Sequence, residues 1–431
     1  VVTGADAGSS YHLFHMGFAA FENVLASPFE QDKTVIVLTD DASDGEVYVY
    51  VGEKQSAGTE PEKAGLVGGN LYTLAVVGKP FEEANVIASA VGEVERFELK
   101  LIGEPGNRPV DGADTEARGA DTVSPVDPTQ TFESLKMGGP EDGAWDTRPG
   151  FENTFYFVTK GTSSGGLTAV TRLWRLEFDD IANPEAGGTM TRLLDGPENR
   201  LGSLDNMDFE VIGGDAKLYI QEDLGGDPRQ SKIWEYDIAT GQIEELAEHT
   251  ERFVEGGPGF LTENEESSGV LSLKDILGEG WFAASVQVHT NAGLSDTDEL
   301  VEHGQLILFN IAGRGTDAIR EQLVASGDLW DFRADGVDPG AGWNDTGFTI
   351  DSEWNKATDG TDLGASPTPI GYGEASGVLA TDLVQPATPR PAATFLRKEF
   401  DIADPNGVVL FDIFAKVDDG GVFYINGTEV A

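Results

Sequence analysis

Two similar segments, Arg172-Leu-Trp-Arg-Leu-Glu-Phe178 and Lys232-Ile-Trp-Glu-Tyr-Asp237, decide the fold of this 431-residue chain. Each begins with a basic residue, continues with an aliphatic residue and Trp, and ends in alternating acidic and apolar or aromatic residues. Such alternation, rich in aromatic and aliphatic side chains, is typical of a half-buried β-strand. Turn-forming sequences follow both segments, DDIANPEAGG at 179–188 and IATGQ at 238–242. The two segments therefore predict repeated strands that are connected by hairpins.

The same strand pattern extends over most of the chain. Further strand-like runs lie at residues 34–39, 46–51, 70–77, 155–159, 217–221 and 305–310. Closely spaced hairpins of this kind are typical of propeller blades, whose inner strands end on a central channel. We therefore predict an all-β fold, with a β-propeller over residues 1–325 and a jelly-roll β-sandwich over residues 328–431. Residues 102–138, which are rich in Pro, Gly and Asp, are predicted as a loop insertion within the propeller.

The charge of the chain limits its function classes. It carries 76 Asp and Glu against 28 Lys and Arg, a formal net charge of −48. Such a field repels phosphate backbones and anionic lipids, which argues against nucleic-acid and membrane-surface partners. It favours multivalent cations and suits a saline medium that screens self-repulsion. No stretch reaches the roughly 18 apolar residues of a spanning helix, so no membrane span is predicted.

The chain contains no Cys and only five His. This excludes disulfides, thiolate nucleophiles, iron–sulfur clusters and Cys-based zinc sites. Metal binding would have to use oxygen ligands, which select hard cations such as calcium or magnesium. Acidity without Cys fits an exported protein of a marine bacterium. We expect it to be secreted and located extracellularly, at the cell surface or in the periplasm, with the leader already removed.

Carboxylates at predicted strand ends are the candidate metal ligands. Glu141 lies in Pro-Glu-Asp-Gly-Ala-Trp-Asp at 140–146, where the acids either face the channel as calcium ligands or satisfy turn amides. Glu222 and Asp223 end an apolar strand and repel each other unless a cation or water neutralises them. Glu266, in Glu-Asn-Glu-Glu-Ser-Ser-Gly, is either a ligand or part of a helix cap. Asp205, in Ser-Leu-Asp-Asn-Met, taken alone is better explained as a turn residue.

Other polar residues receive less specific interpretations. Asp-Asp-Ala-Ser-Asp-Gly-Glu at 40–46 lacks the complete calcium-loop pattern, and we predict a hairpin turn with solvated acids. His12, His15 and His289 are not assigned a catalytic role. Binding of a small anion needs a basic side chain unless metals neutralise the anion alone, and the sequence does not choose among four candidates. These candidates are Arg148, Lys160, Arg172 and Lys232.

Several segments, in order, resemble the PhoX-type alkaline phosphatase family and cover most of residues 18–312. They are AFENVLASPF (20–29), DDASDGEVYVYVGEK (40–54), PEDGAWD (140–146), FYFVTKG (155–161), RLWRLEFDDIANPEAGGT (172–189), SLDNMDFE (203–210), LYIQEDLGGDP (218–228), KIWEYDIATG (232–241) and ENEESSGVLSLKDILGEGWF (263–282). The resemblance implies a six-bladed propeller that holds calcium and a pair of ferric ions at the channel mouth and hydrolyses phosphate monoesters. It also implies that Glu22, Glu141 and Asp205 are metal ligands. The characterised phosphatases use a Cys as an iron ligand, which this chain lacks.

The C-terminal part resembles a galactose-binding-like module that is appended to exported bacterial proteins. The resembling segments are GYGE (371–374), TFLRKEFDIADP (394–405) and DDGGVFYINGTEVA (418–431). In that module further strands follow the last motif. The sandwich is therefore expected to be incomplete and the sequence to be a piece of a longer protein.

Two function hypotheses follow. The first is a secreted, calcium-dependent phosphomonoesterase-like propeller whose metal ligands are Glu22, Glu141, Asp205, Glu222, Asp223 and Glu266, and whose partner is a phosphate monoester or another small anion. The second is a non-catalytic, calcium-stabilised propeller of the cell surface or extracellular matrix, with assembly partners. Iron together with calcium would favour the enzyme, and calcium alone would favour the structural protein.

Overall fold

Strands dominate the described part of the chain. The computed structural model describes residues 8–82, 91–161, 170–196, 201–225, 229–294, 301–311, 324, 327–372, 379–384, 393–402, 410–413 and 422–429. Its helices are α1 (Glu60–Lys63), α2 (Gly112–Ala120) and α3 (Lys274–Leu277), with 3₁₀ turns at Phe14–Met16, Pro184–Ala186 and Glu251–Phe253. Among these residues no helix is both long and apolar enough to cross a bilayer. The all-β prediction is confirmed.

A nine-stranded antiparallel sheet contains the first half of the chain. Its strands are β1 (Phe21–Ala26), β2 (Lys33–Asp40), β3 (Val47–Glu53), β4 (Asn70–Ala75), β5 (Val94–Gly103), β6 (Pro140–Trp145), β7 (Thr154–Thr159), β8 (Arg172–Phe178) and β9 (Gly188–Asp195). Their order is β1-β2-β3-β4-β5-β9-β8-β7-β6. The sheet thus consists of the edge strand β1 and two four-stranded meanders, β2–β5 and β6–β9, which are joined where β5 pairs with β9.

Two further four-stranded sheets follow along the chain. The third meander is β10 (Leu204–Ile212), β11 (Asp215–Glu222), β12 (Lys232–Asp237) and β13 (Ile243–Glu248), in that order. The fourth sheet has the order β14 (Glu265–Ser272), β15 (Trp281–Val288), β16 (His303–Asn310) and β22 (Leu410–Ile413). The hairpin pairings of β10 with β11 and of β11 with β12 are antiparallel throughout.

The first strands of successive sheets are neighbours. Strand β6 packs beside β1 and β2, β10 packs beside β6, and β14 packs beside β10. Meanders that meet through their first strands are the defining arrangement of a β-propeller, in which each first strand lines the centre. The propeller prediction is therefore confirmed, and the described residues contain four such strand groups, two of which belong to the nine-stranded sheet. The expected total of six blades stays a prediction.

Residues 102–138 are partly integrated into the first meander. Asp111 caps helix α2 by accepting a hydrogen bond from the Asp114 backbone N–H, 2.9 Å away. Farther along, Leu135 and Met137 are fully buried in the core of the first sheet, and the Leu135 N–H donates to the Leu74 carbonyl. The segment therefore covers one part of the sheet instead of projecting from it.

The chain divides into two compact units, residues 1–272 with 284–306, and residues 273–283 with 307–431. A domain boundary near residue 328 stays a prediction. The second unit contains β17 (Leu329–Arg333) between β18 (Ser366–Pro367) and β21 (Phe395–Arg397), the pair β19 (Ile370–Gly371) and β20 (Thr381–Asp382), and the hairpin β23 (Tyr424–Ile425) and β24 (Thr428–Glu429). These small sheets fit the predicted β-sandwich. Several of the residues that carry the galactose-binding-like resemblance lie outside the described part.

We expect Trp174 to be a main support of the second meander. Its side chain is 1% exposed, stacks on Phe157 with ring centroids 6.3 Å apart, and donates from Nε1 to Thr159 Oγ1 at 3.2 Å. Trp174→Ala should lower the free energy of unfolding by about 3–5 kcal/mol in chemical denaturation, because it opens a cavity. Val301→Ala, at a side chain that is 73% exposed, is the control and should change it by less than about 0.5 kcal/mol. Equal effects of both variants would contradict this core assignment.

Candidate metal centre

Four carboxylates occupy the same position in four strands. The second residue of each of these first strands is a carboxylate: Glu22 in β1, Glu141 in β6, Asp205 in β10 and Glu266 in β14. Because these strands are neighbours in that order, equivalent positions come to the same end of the propeller. Residues far apart in sequence are thus brought to one region.

The tightest group contains two predicted ligands, Glu22 and Glu141, together with Asp41, which the sequence analysis placed in a solvated hairpin. Ligand atoms of Glu22, Asp41 and Glu141 all lie within 4.8 Å of one another. Glu141 is only 1% exposed. The Lys160 ammonium lies 2.7 Å from Glu141 Oε1 and also pairs with Asp41. The Lys160 ammonium therefore already faces these three carboxylates.

Asp205, Asp223 and Glu266 extend this group. Asp223 and Glu266 form an isolated β-bridge, so their backbones are adjacent. Burial raises the pKa of Asp205 to about 8, with further contributions from the carboxylates of Glu266, Glu22 and Asp223. We call the six residues the acidic cluster: Glu22, Asp41, Glu141, Asp205, Asp223 and Glu266.

The pKa values of other cluster members move in the same direction. Burial and the neighbouring Asp205 raise the pKa of Glu141, and this outweighs the opposite effect of Lys160. Desolvation and Asp41 raise the pKa of Glu22, although that side chain remains solvent-exposed. Burial and Asp223 raise the pKa of Glu266. Burial and an excess of negative charge over the single Lys160 ammonium therefore make Glu22, Glu141, Asp205 and Glu266 retain their protons more strongly.

Glu222 does not share this environment. It is fully buried, and Arg229 contacts both of its oxygens, at 2.8 and 2.9 Å. The same oxygens also accept from the backbone N–H groups of Gly202 and Lys232. Successive side chains of a strand point to opposite faces, so Glu222 and Asp223 are separated by the pleat. The structure gives Glu222 a buried ion pair instead of the open ligand position that the sequence predicted.

The remaining acids of 140–146 also have protein partners. Asp142 accepts from the backbone N–H groups of Gly143 and Met207, at 2.6 and 3.1 Å. Asp146 is fully buried and makes a two-pronged contact with Arg148 at 2.9 and 2.6 Å. Of this motif, only Glu141 belongs to the acidic cluster. The helix-cap alternative for Glu265 and Glu266 is wrong, because strand β14 begins at Glu265.

Lys160 is the basic side chain of the four candidates that lies at the acidic cluster. Arg148 is held by Asp146, and Arg172 is held by Glu82 and Asp195. Lys232 pairs with Glu245 and Glu248 at the surface of the third meander. The other three cations are engaged by acids outside the cluster, so Lys160 is the one of the four that contacts the acidic cluster.

His289 contacts the cluster through Glu266. Its Nε2 lies 3.4 Å from Glu266 Oε2, and its Nδ1 lies 3.0 Å from Glu302 Oε2. Burial lowers the pKa of His289, but the two carboxylates outweigh this and raise it. A charged imidazolium is therefore favoured at the rim of the cluster.

The sequence analysis missed two features of the 40–46 hairpin. Asp41 joins the acidic cluster, and both Asp40 and Glu46 are buried, each 1% exposed, instead of solvated. The hairpin itself, between β2 and β3, was predicted correctly. The burial of Glu46 comes from Gly119 and Ser134, which are distant in sequence and gave no local signal.

The donor set fits a hard cation. All ligand atoms that converge in the cluster are carboxylate oxygens, which are preferred by calcium and magnesium. The pair of ferric ions implied by the resemblance fits less well, because its Cys ligand has no counterpart in a chain without Cys. We therefore consider calcium for this centre and derive nothing through iron.

Comparisons with known proteins do not identify a family. No family model matches the chain, and no curated protein matches it. Among solved structures, PhoX of Pseudomonas fluorescens in complex with vanadate, a transition state analogue, is 14% identical over 64% of this chain and 49% of that chain, with a TM-score of 0.43. The GH43B protein of the Bacteroides ovatus xyloglucan PUL is 11% identical over 72% and 42% of the two chains, with a TM-score of 0.29.

A third similar structure is the α-L-arabinofuranosidase of Podospora anserina in complex with cellotriose, 11% identical over 68% and 64% of the two chains, with a TM-score of 0.29. The chain spans about half the length of PhoX of Pseudomonas fluorescens. With TM-scores below 0.5, these likenesses carry no argument about function, and membership of the PhoX-type family stays a prediction.

The raised pKa values predict a pH-dependent stability that cations reverse. In metal-free buffer the folded state binds more protons than the unfolded state between the ordinary Asp pKa near 4 and about 8. The free energy of unfolding should therefore fall as pH rises through this window. Asp205→Asn should flatten this fall, and Asp215→Asn, at an exposed hairpin position, should not. Added calcium should restore stability at pH 8 in the wild type, measured by denaturant unfolding. Identical pH profiles for the wild type and Asp205→Asn would contradict the charge assignment.

Proposed function

We propose that the acidic cluster binds calcium and that the protein uses this centre to hydrolyse phosphate monoesters. The observation that carries the proposal is the convergence of Glu22, Asp41 and Glu141 within 4.8 Å, with Lys160 beside them. Oxygen ligands of this kind hold calcium, and a bound cation polarises a phosphoryl oxygen. The ordered resemblance to PhoX-type phosphatases supports the same chemistry.

Lys160 has a defined part in this proposal. Its ammonium contacts Asp41 and Glu141, and these contacts raise the pKa of Lys160 against the effect of burial, so it stays charged. An ammonium at the edge of the cluster can pair with a phosphate oxygen of the substrate. Asp41 and Glu141, which hold Lys160 in place, would then contact both the Lys160 ammonium and the bound calcium.

A second candidate is a calcium-stabilised propeller without catalytic activity. The observation in its favour is that the Lys160 ammonium already contacts Glu141 and Asp41, so the fold has an internal counter-ion. In that case calcium would stabilise the folded state by mass action alone. Export to the cell surface or the extracellular matrix is part of both candidates and rests on composition.

Activity of the Glu141→Gln variant separates the two candidates. Chelator-treated protein is assayed with p-nitrophenyl phosphate after addition of calcium, magnesium or ferric iron. We expect calcium-dependent hydrolysis in the wild type and a loss of roughly 100-fold or more in Glu141→Gln, because changes beside a metal ligand alone already cost 10–100-fold. Glu244→Gln is the matched control, since Glu244 is exposed on strand β13.

The possible results are distinct. A wild type that stays inactive with each cation, while calcium raises its melting temperature, would reject the enzyme and support the structural candidate. A wild type that neither hydrolyses the substrate nor responds to calcium would reject both. Retained activity in folded Glu141→Gln would remove the centre from the mechanism.

A further inference from the structure

Strand β15 carries a row of polar side chains on one face. Ser285, Gln287 and His289 alternate with the buried Val286 and Val288, so the three polar residues share a side of the sheet. Their side chains contact β14, the first strand of the same sheet. Half-buried polar groups need hydrogen-bond partners, and the partners of this row include an acid of the acidic cluster.

Gln287 lies in the middle of the row. Its Nε2 donates to Glu266 Oε1 at 3.1 Å and to Ser268 Oγ at 3.2 Å, so both amide hydrogens are used. An ionised carboxylate accepts hydrogen bonds and donates none. The contact with Glu266 therefore determines that the amino group of the Gln287 amide, and not its oxygen, faces β14.

The Ser268 hydroxyl continues the contact to strand β10. It donates to Asn206 Oδ1 at 2.8 Å, and the Gly269 N–H donates to the same oxygen at 2.5 Å. Because Oδ1 accepts from β14, Asn206 Nδ2 is left to donate to Asp205 Oδ1, 2.7 Å away. Hydrogen bonds thus connect two acids of the acidic cluster through three uncharged side chains. We call this series the polar chain: Glu266, Gln287, Ser268, Asn206 and Asp205.

Glu266 is held at both of its oxygens and can still bind a cation. Gln287 contacts Oε1, and His289 Nε2 lies 3.4 Å from Oε2. Each carboxylate oxygen has two lone pairs, so one hydrogen bond at each oxygen leaves a position for a metal ion. These contacts restrict rotation of the carboxylate without occupying its ligand positions.

The acids at the two ends of the polar chain repel each other. Burial and the Glu266 carboxylate raise the pKa of Asp205. Without a hydrogen-bond donor at each end, the two carboxylates would rotate apart in the metal-free protein. A site that is already arranged binds its cation more tightly, and groups that orient metal ligands typically contribute 10–100-fold in affinity.

We propose that Gln287 is a positioning residue of the calcium centre, which orients Glu266 directly and Asp205 through Ser268 and Asn206. The inference rests on the proposed binding of calcium by the acidic cluster. Gln287 itself supplies no ligand atom and acts through the two acids.

The test measures calcium affinity and metal-free stability separately. The full chain is treated with chelator and titrated with calcium in a calorimeter, and its melting temperature is measured in chelator. Gln287→Met, which keeps the length of the side chain and removes the amide, should bind calcium about 10–100-fold more weakly. Its metal-free melting temperature should change by less than about 2 °C, because only hydrogen bonds of a half-buried side chain are lost.

Variants of Ser268 test the second half of the polar chain. Ser268→Ala should weaken calcium binding less than Gln287→Met does, since Glu266 keeps its bond from Gln287. Ser268→Thr, which keeps the hydroxyl, should restore the affinity. The losses in Gln287→Met and Ser268→Ala should be less than additive in the double variant, because both changes interrupt one series of contacts.

Two controls match these changes. Ser285→Ala removes a hydroxyl from the same face of β15, where it donates to the Ser268 carbonyl and lies outside the polar chain. Gln242→Met makes the same exchange at an exposed position before β13. Both should keep the calcium affinity of the wild type.

The results separate this inference from the proposed function. A wild type that binds no calcium would reject both, before any variant is compared. Calcium binding in the wild type with unchanged affinity in Gln287→Met would overturn the positioning role alone. An equal loss in Ser285→Ala would indicate a general disturbance of β15 and contradict the inference. Additive losses would contradict the connection to Asp205. If Gln287→Met does not fold, unchanged affinity in Ser268→Ala would overturn the polar chain.

Discussion

Side-chain hydrogen bonds between neighbouring inner strands hold the centre of the propeller in place. The residues that follow three of the cluster acids make them: Asn23 donates to Asp142, Asp142 accepts from the Met207 N–H, and Asn206 accepts from the Ser268 hydroxyl and the Gly269 N–H. Successive residues of a strand point to opposite sides. The acid therefore faces the cluster while its neighbour ties the strand to the next one. The position of the acids depends on these ties.

Fixed strands explain why the acids tolerate one another. Free carboxylates would move apart, but Glu141 and Asp205 sit on strands whose next residues, Asp142 and Asn206, are bonded to adjacent strands. The electrostatic cost therefore appears as raised pKa values instead of as displacement. This electrostatic cost can be reduced by protonation of the carboxylates, by the Lys160 ammonium or by a bound cation. A site of this kind is arranged before its cation binds, and this favours affinity.

Local sequence pattern predicted the strands well and the faces of their side chains less well. Alternation located β8 and β12, and acids at strand ends suggested Glu141, Asp223 and Glu266. The repeated pairs Glu22-Asn23, Glu141-Asp142 and Asp205-Asn206 at equivalent strand positions were a visible signal for the ties that was not used. No sequence signal indicated the ion pair of Glu222 with Arg229, because Arg229 lies in the loop after β11. Asp40 and Glu46 were expected in solvent because no local pattern predicts which distant segment covers a strand.

One hairpin connects the acidic cluster to the covered face of the first meander. Asp40 and Asp41 are adjacent at the end of β2, yet Asp40 is buried on that covered face and Asp41 belongs to the cluster. Their backbone is anchored to the residue before β1, because the Asp41 N–H donates to the Ala20 carbonyl and the Ala20 N–H donates to Asp40 Oδ1. The hydrogen bond that fixes Asp40 thus also fixes the backbone that presents Asp41 and the neighbouring Glu22. The covered face of the first meander and the geometry of the acidic cluster are therefore linked through two consecutive residues.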